Sequence, residues 1–311
     1  MGAHWCNNEA SLTDAEQAMS GATTNVGEGK GQTERAPCET QRAGQTDPTT
    51  LMPPSAHQLR EGFAAMILIN LENWCYANTA ILTLLWALLS CSTYSNMEWG
   101  PHGPDIVRFL HTALQKPVHL PDLDWFQSLI ASWHGADEQC DPVEFLTHLV
   151  QGLQVPGIDW SWERRVQLGS DISVRDKSAN HVPITLHIDP ELSHAGWIRL
   201  DDMIHTWFNY MGMQTALTGS TPIICFHVDR HVMAGDGTTH KSDLSIGMHG
   251  VFSVPFFTND RTELAWHDYR VVAAIAHLGA DQAGHCRATL RVQADVSHQP
   301  PYMQLLTDDN A

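Results

Sequence analysis

After residue 58 the apolar positions first recur at helical spacing and later alternate. Val143, Leu146, Val150 and Leu153, joined by Phe145 and Leu149, form one face of a helix. Asp141-Pro142-Val143-Glu144 marks its start, with aspartate at the N-cap, proline at the first helical position and an acid at the third. Leu200, Met203, Ile204, Trp207 and Phe208 predict another helix, with Asp201 and Asp202 in the first turn, where the helix dipole favours them. Strand patterns dominate the later part. Ile184, Leu186 and Ile188 alternate with Thr185 and His187, and Ala288, Leu290 and Val292 alternate with Arg287, Thr289 and Arg291. Short apolar runs at Ile223–Val228, Val251–Phe257 and Val271–Ala276 are bounded by polar or glycine-rich stretches. Helices first and strands later predict an α+β protein with a cleft between two lobes.

Residues 1–57 follow neither pattern. They hold one aromatic residue (Trp5), no Ile and no Phe, and too little apolar surface to offset the entropy of ordering, so they are expected to form a disordered tail. The folded domain is then 58–311. The apolar stretch from Phe63 to Cys91 is interrupted by Asn70, Glu72, Asn73 and Asn78. Its longest apolar part, Thr79–Leu89, is far short of the roughly 20 residues of a membrane span. A buried helix is expected there.

Of 311 residues, 43% are hydrophobic and 17% charged, enough to build a substantial core. Lys and Arg number 17 against 35 Asp and Glu, a formal charge of −18, which argues against electrostatic binding to nucleic acid or an anionic membrane. Seven cysteines are scattered, with no C-x-x-C pair. That is not a disulfide framework and points to a reducing compartment, cytoplasm or nucleus. The N-terminus lacks the basic and apolar regions of a secretory signal.

Cys75 stands where the polar stretch Asn70–Trp74 gives way to the apolar run Tyr76–Leu89. A cysteine at a helix N-terminus sits at the positive end of the macrodipole, which favours a thiolate, and nearby asparagines can donate to an oxyanion. By itself this also describes a cysteine buried in a core helix. A second segment adds what a thiolate nucleophile needs. His285 follows a short glycine-containing loop between two strands and supplies an imidazole to take and return a proton. Near the C-terminus, Asp308-Asp309 follows apolar residues and supplies a carboxylate to orient that imidazole.

These segments together resemble the ubiquitin-specific proteases, papain-like deubiquitinating cysteine proteases. The family's cysteine box is matched by Ile67-Leu-Ile-Asn70-Leu-Glu-Asn73-Trp-Cys75-Tyr76-Ala-Asn78-Thr79, and its Q-Q-D-x-x-E-F box by Gln139-Cys-Asp141-Pro-Val-Glu144-Phe145. Its L-x-x-H-L-x-R-F strand is echoed by Ile223-Ile-Cys-Phe-His227-Val-Asp-Arg230, and its histidine box by Tyr269 through Cys286. The resemblance spans about residues 60–311. It implies a helical thumb with a β-rich palm and fingers, Cys75 as nucleophile, His285 as general base and acid, and Asp308 (or its neighbour Asp309) orienting His285. Asn70 falls where the family places its oxyanion-hole side chain, and His277 where it often has a non-catalytic histidine. Gly279–Gly284 would be a loop that yields to the ubiquitin tail. The implied partner is ubiquitin or a ubiquitinated protein, and no cofactor is implied.

Three positions depart from the family pattern. Glu72 stands for a glycine, Trp74 for a threonine, and Cys286 for the tyrosine after the histidine. Glu72 and Cys286 leave open a catalytically weak or inactive ubiquitin-binding scaffold, or a protease for another ubiquitin-like modifier. Zinc-ribbon cysteines are absent from 158–183 and 229–247, so no metal is expected. His231, His240, His249 and His267 have no compact ligand spacing and read as surface polar residues. Trp133, Trp160, Trp162 and Trp207 read as core. Asp137, Glu138 and Asp141 form either an acidic contact for ubiquitin's basic tail or a solvated face.

Overall fold

The computed structural model describes residues 56–291 and 303–306, apart from positions 64, 72, 95, 97–98, 136–139, 234, 249–250 and 281–282. Residues 1–55 of the expected tail, and with them Glu72, Asp137, Glu138, His249, Asp308 and Asp309, lie outside the described residues. The first helix, α1 (Ala56–Phe63), begins two residues ahead of the boundary expected at 58.

Helices come first: α1, then α2 (Cys75–Ser90), α3 (Gly103–Ala113), α4 (Asp124–Ile130) and α5 (Pro142–Leu153). The α2 sequence is apolar on nearly every face, and nearly every face is buried. A helix of that kind belongs inside a core. Here α1, α5 and a C-terminal hairpin surround it. Among the described residues no helix is long and apolar enough to cross a membrane. α5 starts as its sequence predicts, with the Asp141 carboxylate accepting from the Val143 N–H at 2.7 Å and Pro142 opening the first turn.

The strands follow as β1 (Trp162–Leu168), β2 (Asp171–Lys177), β3 (Ile184–His187) and β4 (Trp197–Arg199). After the predicted helix, α6 (Leu200–Phe208), come β5 (Asn209–Tyr210), β6 (Met213–Leu217), β7 (Phe226–Asp229), β8 (His231–Met233) and β9 (Thr239–Lys241). The remaining strands are β10 (Ser245–Gly247), β11 (Phe252–Phe257), β12 (Leu264–Tyr269), β13 (Ala273–Ala280), β14 (Ala283–Arg291) and β15 (Met303–Leu306). The order β12-β11-β6-β1-β2 builds one sheet, with β5 on β6, while β13-β14-β15 form a separate antiparallel sheet. β3 pairs in parallel with β7, Ile184 opposite Phe226. The molecule is α+β.

Its apolar side chains form two cores. One gathers α1–α5 and also takes in Cys286 and Leu290 of β14. The other packs Ile184, Leu186, Met203, Ile204, Trp207 and Val254 between α6 and the sheets. Trp133, Trp160 and Trp207 are buried, and Trp162 packs edge-on against Trp207 at 6.2 Å.

Two segments differ from the sequence pattern for identifiable reasons. The run Ile223–Val228 becomes a strand only at Phe226. The Ile223 carbonyl is taken by side chains instead, accepting from Trp160 Nε1–H at 2.8 Å and Thr221 Oγ1–H at 2.9 Å. The segment Gly279–Gly284, expected as a loop, is mostly ladder. Gly279 pairs with Gly284 and Ala280 with Ala283, so β13 and β14 run almost to the tip.

Candidate active site

Cys75 is the first residue of α2 and only 4% exposed. Both flanking residues are fixed in an aromatic cluster. Trp74, at the N-cap position, stacks on Tyr76 (centroids 6.0 Å apart) and meets Phe126 edge-on at 5.6 Å. Tyr76 packs edge-on against Phe145 at 5.3 Å. Its hydroxyl donates to the Gly135 carbonyl at 3.1 Å and accepts from Trp133 Nε1–H at 3.3 Å. Thr79 Oγ1–H, one turn along, reaches the Cys75 and Tyr76 carbonyls at 2.9 and 3.0 Å. Trp74, where the family has threonine, is thus an anchor of the helix start.

The segment before Cys75 is tied down on two sides. Ile69 N–H donates to the Val118 carbonyl at 2.8 Å and Val118 N–H to the Ile67 carbonyl at 3.1 Å, a parallel bridge centred on Leu68. Asn78, fully buried in α2, donates from Nδ2 to the Ile69 carbonyl at 3.4 Å. Asn70 follows directly and is half-buried. Its Oδ1 is buried with no hydrogen-bond partner among the described residues. Buried polar atoms are normally paired, so the Asn70 Oδ1 is an exception.

The opposite wall is the β13–β14 hairpin, which packs on α2. Cys286, Ala288 and Leu290 alternate inward and are buried. Their cross-strand partners His277, Ile275 and Ala273 share that face, because directly paired residues project to the same side of a sheet. The His277 ring lies over Gly284. A Cβ there would strike the ring and the Leu278 carbonyl oxygen, so glycine is required for this close approach.

Cys286 shares the buried helical core with Cys75. Interaction with Cys75, followed by burial and the negative charges of Cys75 and Asp141, pushes the Cys286 thiol well above the usual thiol range. Cys286 therefore keeps its proton. Asp141 is lifted to about 6, chiefly by burial and also by the Glu144 charge, with the Val143 N–H pulling the other way. His285 lies opposite Leu278 and, one residue from Cys286, projects to the other face of β14. It is half-buried and forms no hydrogen bond or ion pair among the described residues. β15 pairs antiparallel with β14 and its last residue, Leu306, sits opposite Ala288. Asp308 is two residues further on and outside the described residues.

The sites expected from sequence therefore separate into groups. Cys75 and the Asn70 segment converge at the start of α2. His285 is carried on the neighbouring hairpin with its side chain turned from the Cys286 face. In the sequence Cys286 stands out only as the residue in place of a tyrosine. The signal for its burial was available in the period-two alternation that buries Ala288 and Leu290. Beside this site a cavity of about 590 Å³ runs between α2 and the strands, lined by Leu84, Leu146, Phe226, Tyr269 and His277 among others. Among the described residues no group of three His, Cys, Asp or Glu side chains is arranged to hold a metal ion.

No protein-family model matches the chain, and no curated protein is similar to it in sequence. Solved structures are similar in fold. The Ubp8-Sgf11-Sgf73-Sus1 SAGA DUB module superposes with a TM-score of 0.50 at 13% identity, covering 83% of this chain and 66% of the matched one. The same module bound to ubiquitin aldehyde gives 0.50 at 14% identity, covering 78% and 66%. A yeast SAGA DUB module with a mutant Sgf73 gives 0.51 at 14% identity, covering 84% and 66%. The fold is that of a ubiquitin-specific protease. The chain spans about two thirds of the length of the matched Ubp8 chains, and these fold neighbours are deubiquitinases.

Proposed function

We propose that this chain is a thiol-dependent deubiquitinase that hydrolyses the peptide or isopeptide bond after the C-terminal glycine of ubiquitin. One observation carries the reading. Cys75 is the first residue of a buried helix, and the hairpin bearing the histidine box packs on that helix within a ubiquitin-specific protease fold. A similar structure, the Ubp8 module, is one bound to ubiquitin aldehyde.

In this reading the Cys75 thiolate attacks the carbonyl carbon of the terminal glycine. The Asn70 amide and a backbone N–H at the start of α2 hold the oxyanion of the tetrahedral intermediate. His285 protonates the leaving lysine amine, then takes a proton from the water that cleaves the thioester, and Asp308 fixes its tautomer. His285 projects to the face of β14 opposite to that of Cys286, so productive contact requires its side chain to turn at the hairpin edge, or the hairpin to shift. Catalytic hydrogen bonds commonly tighten only in the loaded enzyme. No cofactor takes part.

The burial of Cys286 in the same core as Cys75 favours a second reading, a ubiquitin-binding scaffold that keeps the fold and has lost the chemistry. Incubation with ubiquitin bearing a C-terminal electrophile separates the two. A covalent adduct that Cys75→Ala abolishes supports the hydrolase. Binding of unmodified ubiquitin with no adduct supports the scaffold. An adduct formed only with another ubiquitin-like modifier reassigns the substrate.

A further inference from the structure

Asn78 joins the helix of the nucleophile to the segment that carries Asn70. It lies three residues after Cys75, on the same face of α2, and is fully buried. Asparagine is a poor residue for the body of a helix, and burying its amide costs free energy unless the amide is bonded. Backbone and side chain are both bonded here. The Asn78 N–H donates to the Trp74 carbonyl at 2.9 Å and closes the turn around Cys75. Its Nδ2 donates to the Ile69 carbonyl at 3.4 Å, nine residues back and outside the helix. Its Oδ1 is buried with no hydrogen-bond partner among the described residues. The one side-chain bond that Asn78 makes there is thus the tie to Ile69.

That carbonyl has a particular place. It shares one planar peptide unit with the Asn70 nitrogen. The Ile69 N–H is held as well, donating to the Val118 carbonyl at 2.8 Å. Two ties therefore set the backbone from which the Asn70 side chain springs. One comes from Val118, between α3 and α4, and the other from the helix that begins at Cys75. Only the second measures the Asn70 segment against the nucleophile itself.

We propose that Asn78 is a positioning residue for the hydrolysis: it fixes the Asn70 segment relative to Cys75, so that the Asn70 amide meets the oxyanion as the thiolate adds to the carbonyl carbon. This rests on the reading of Cys75 as nucleophile and Asn70 as oxyanion donor. In this role Asn78 touches no reacting atom, and its effect passes through Asn70. A donor to an oxyanion works only where the charge develops, and small displacements of it are costly.

Two ubiquitin reagents, applied to the full chain, isolate that step. A C-terminal fluorogenic amide is hydrolysed through a tetrahedral oxyanion. A C-terminal alkyl bromide is captured by displacement: the Cys75 sulfur bonds to carbon, bromide leaves, and no oxyanion forms. In Asn78→Ala, kcat for the amide should fall about tenfold or more with KM within about twofold, while bromide capture stays within about twofold of wild type. Asn70→Ala should show the same pattern. Adding Asn78→Ala to it should cost less than about twofold more, because the two residues act as a unit. If the alanine variant does not fold, Asn78→Thr is read instead, since its similar volume is kept and its hydroxyl bonds within the helix.

An equal loss against both reagents in a folded variant overturns the proposal, because it marks a disturbed helix start and not a misplaced donor. Additive losses in the double variant overturn it too, as does amide turnover by Asn78→Ala at the wild-type rate. Failure of the hydrolase reading looks different. The wild type then hydrolyses no amide, and the positioning role falls with it.

Discussion

On the helical side of the site, Cys75 is gripped from both flanks by Trp74 and Tyr76, whose rings and hydroxyl are locked into Phe126, Trp133, Phe145 and the Gly135 carbonyl. On the strand side, the His285 side chain has no hydrogen bond among the described residues and lies on the face of β14 opposite to that of Cys286. One half of the proposed chemistry is therefore preorganised and the other is adjustable. A nucleophile held this firmly leaves the hairpin to decide when a reaction can occur.

The contrast breaks most completely at Tyr76. Tyr76→Ala empties space in the aromatic cluster and strands the Trp133 N–H and the Gly135 carbonyl. A loss of about 3–5 kcal/mol of unfolding free energy is expected, against about 1–2 for Tyr76→Phe. Urea denaturation measures both, and a loss below about 1 kcal/mol in the alanine variant would contradict a rigid helical wall.

Asp141 gives the next effect, through pH. Its carboxyl titrates at about 6 when folded, against an ordinary 3.8, because it is buried. Between those values the folded chain keeps a proton that the unfolded chain has released. This contribution thus favours folding on the acid side and fades as pH rises from about 4 to 6, by up to about 3 kcal/mol. Asp141→Asn retains an N-cap acceptor but cannot ionise. Its stability relative to wild type should therefore climb across that window and stay higher at pH 7. A difference that is flat with pH would reject the buried carboxyl as its source.

The smallest expected change in stability sharpens the strand side. Gly284→Ala drives a Cβ into the His277 ring and the Leu278 carbonyl, at a cost of about 1–3 kcal/mol. If the hairpin controls the reaction, capture of the ubiquitin electrophile should slow on the order of tenfold, as expected for misplaced reacting groups. Unchanged capture kinetics in a destabilised variant would show that the hairpin tip does not set the rate.

Much of this architecture was legible from local pattern. Asp141-Pro142 fixed the start of α5, and alternation at Ile184 and Leu186 gave β3 its buried face, since capping and periodicity are properties of short segments. The four boxes in order pointed to the fold and to the place of Cys75. What stayed hidden depends on partners distant in sequence. Ile223 looks like strand, yet Trp160 and Thr221 claim its carbonyl. Gly279 and Gly284 look like loop, yet they face each other in the ladder. The placing of Cys286 in the same core as Cys75 follows from hairpin register and from how that hairpin lies on α2. Neither is written in the residues next to it.

The helical core takes its last wall from strands at the far end of the fold. Cys286 and Leu290 pack among the residues of α1–α5, about 200 residues from the helix they cover, a very non-local pairing. A chain being synthesised carries α2 with an apolar flank uncovered until β14 has been made, when a chaperone or an early neighbour must shield it. The thiol and its strand-side neighbour consequently meet only at the end of domain assembly. The closing of the core and the completion of the site are one event, so a partly made chain cannot carry a finished site.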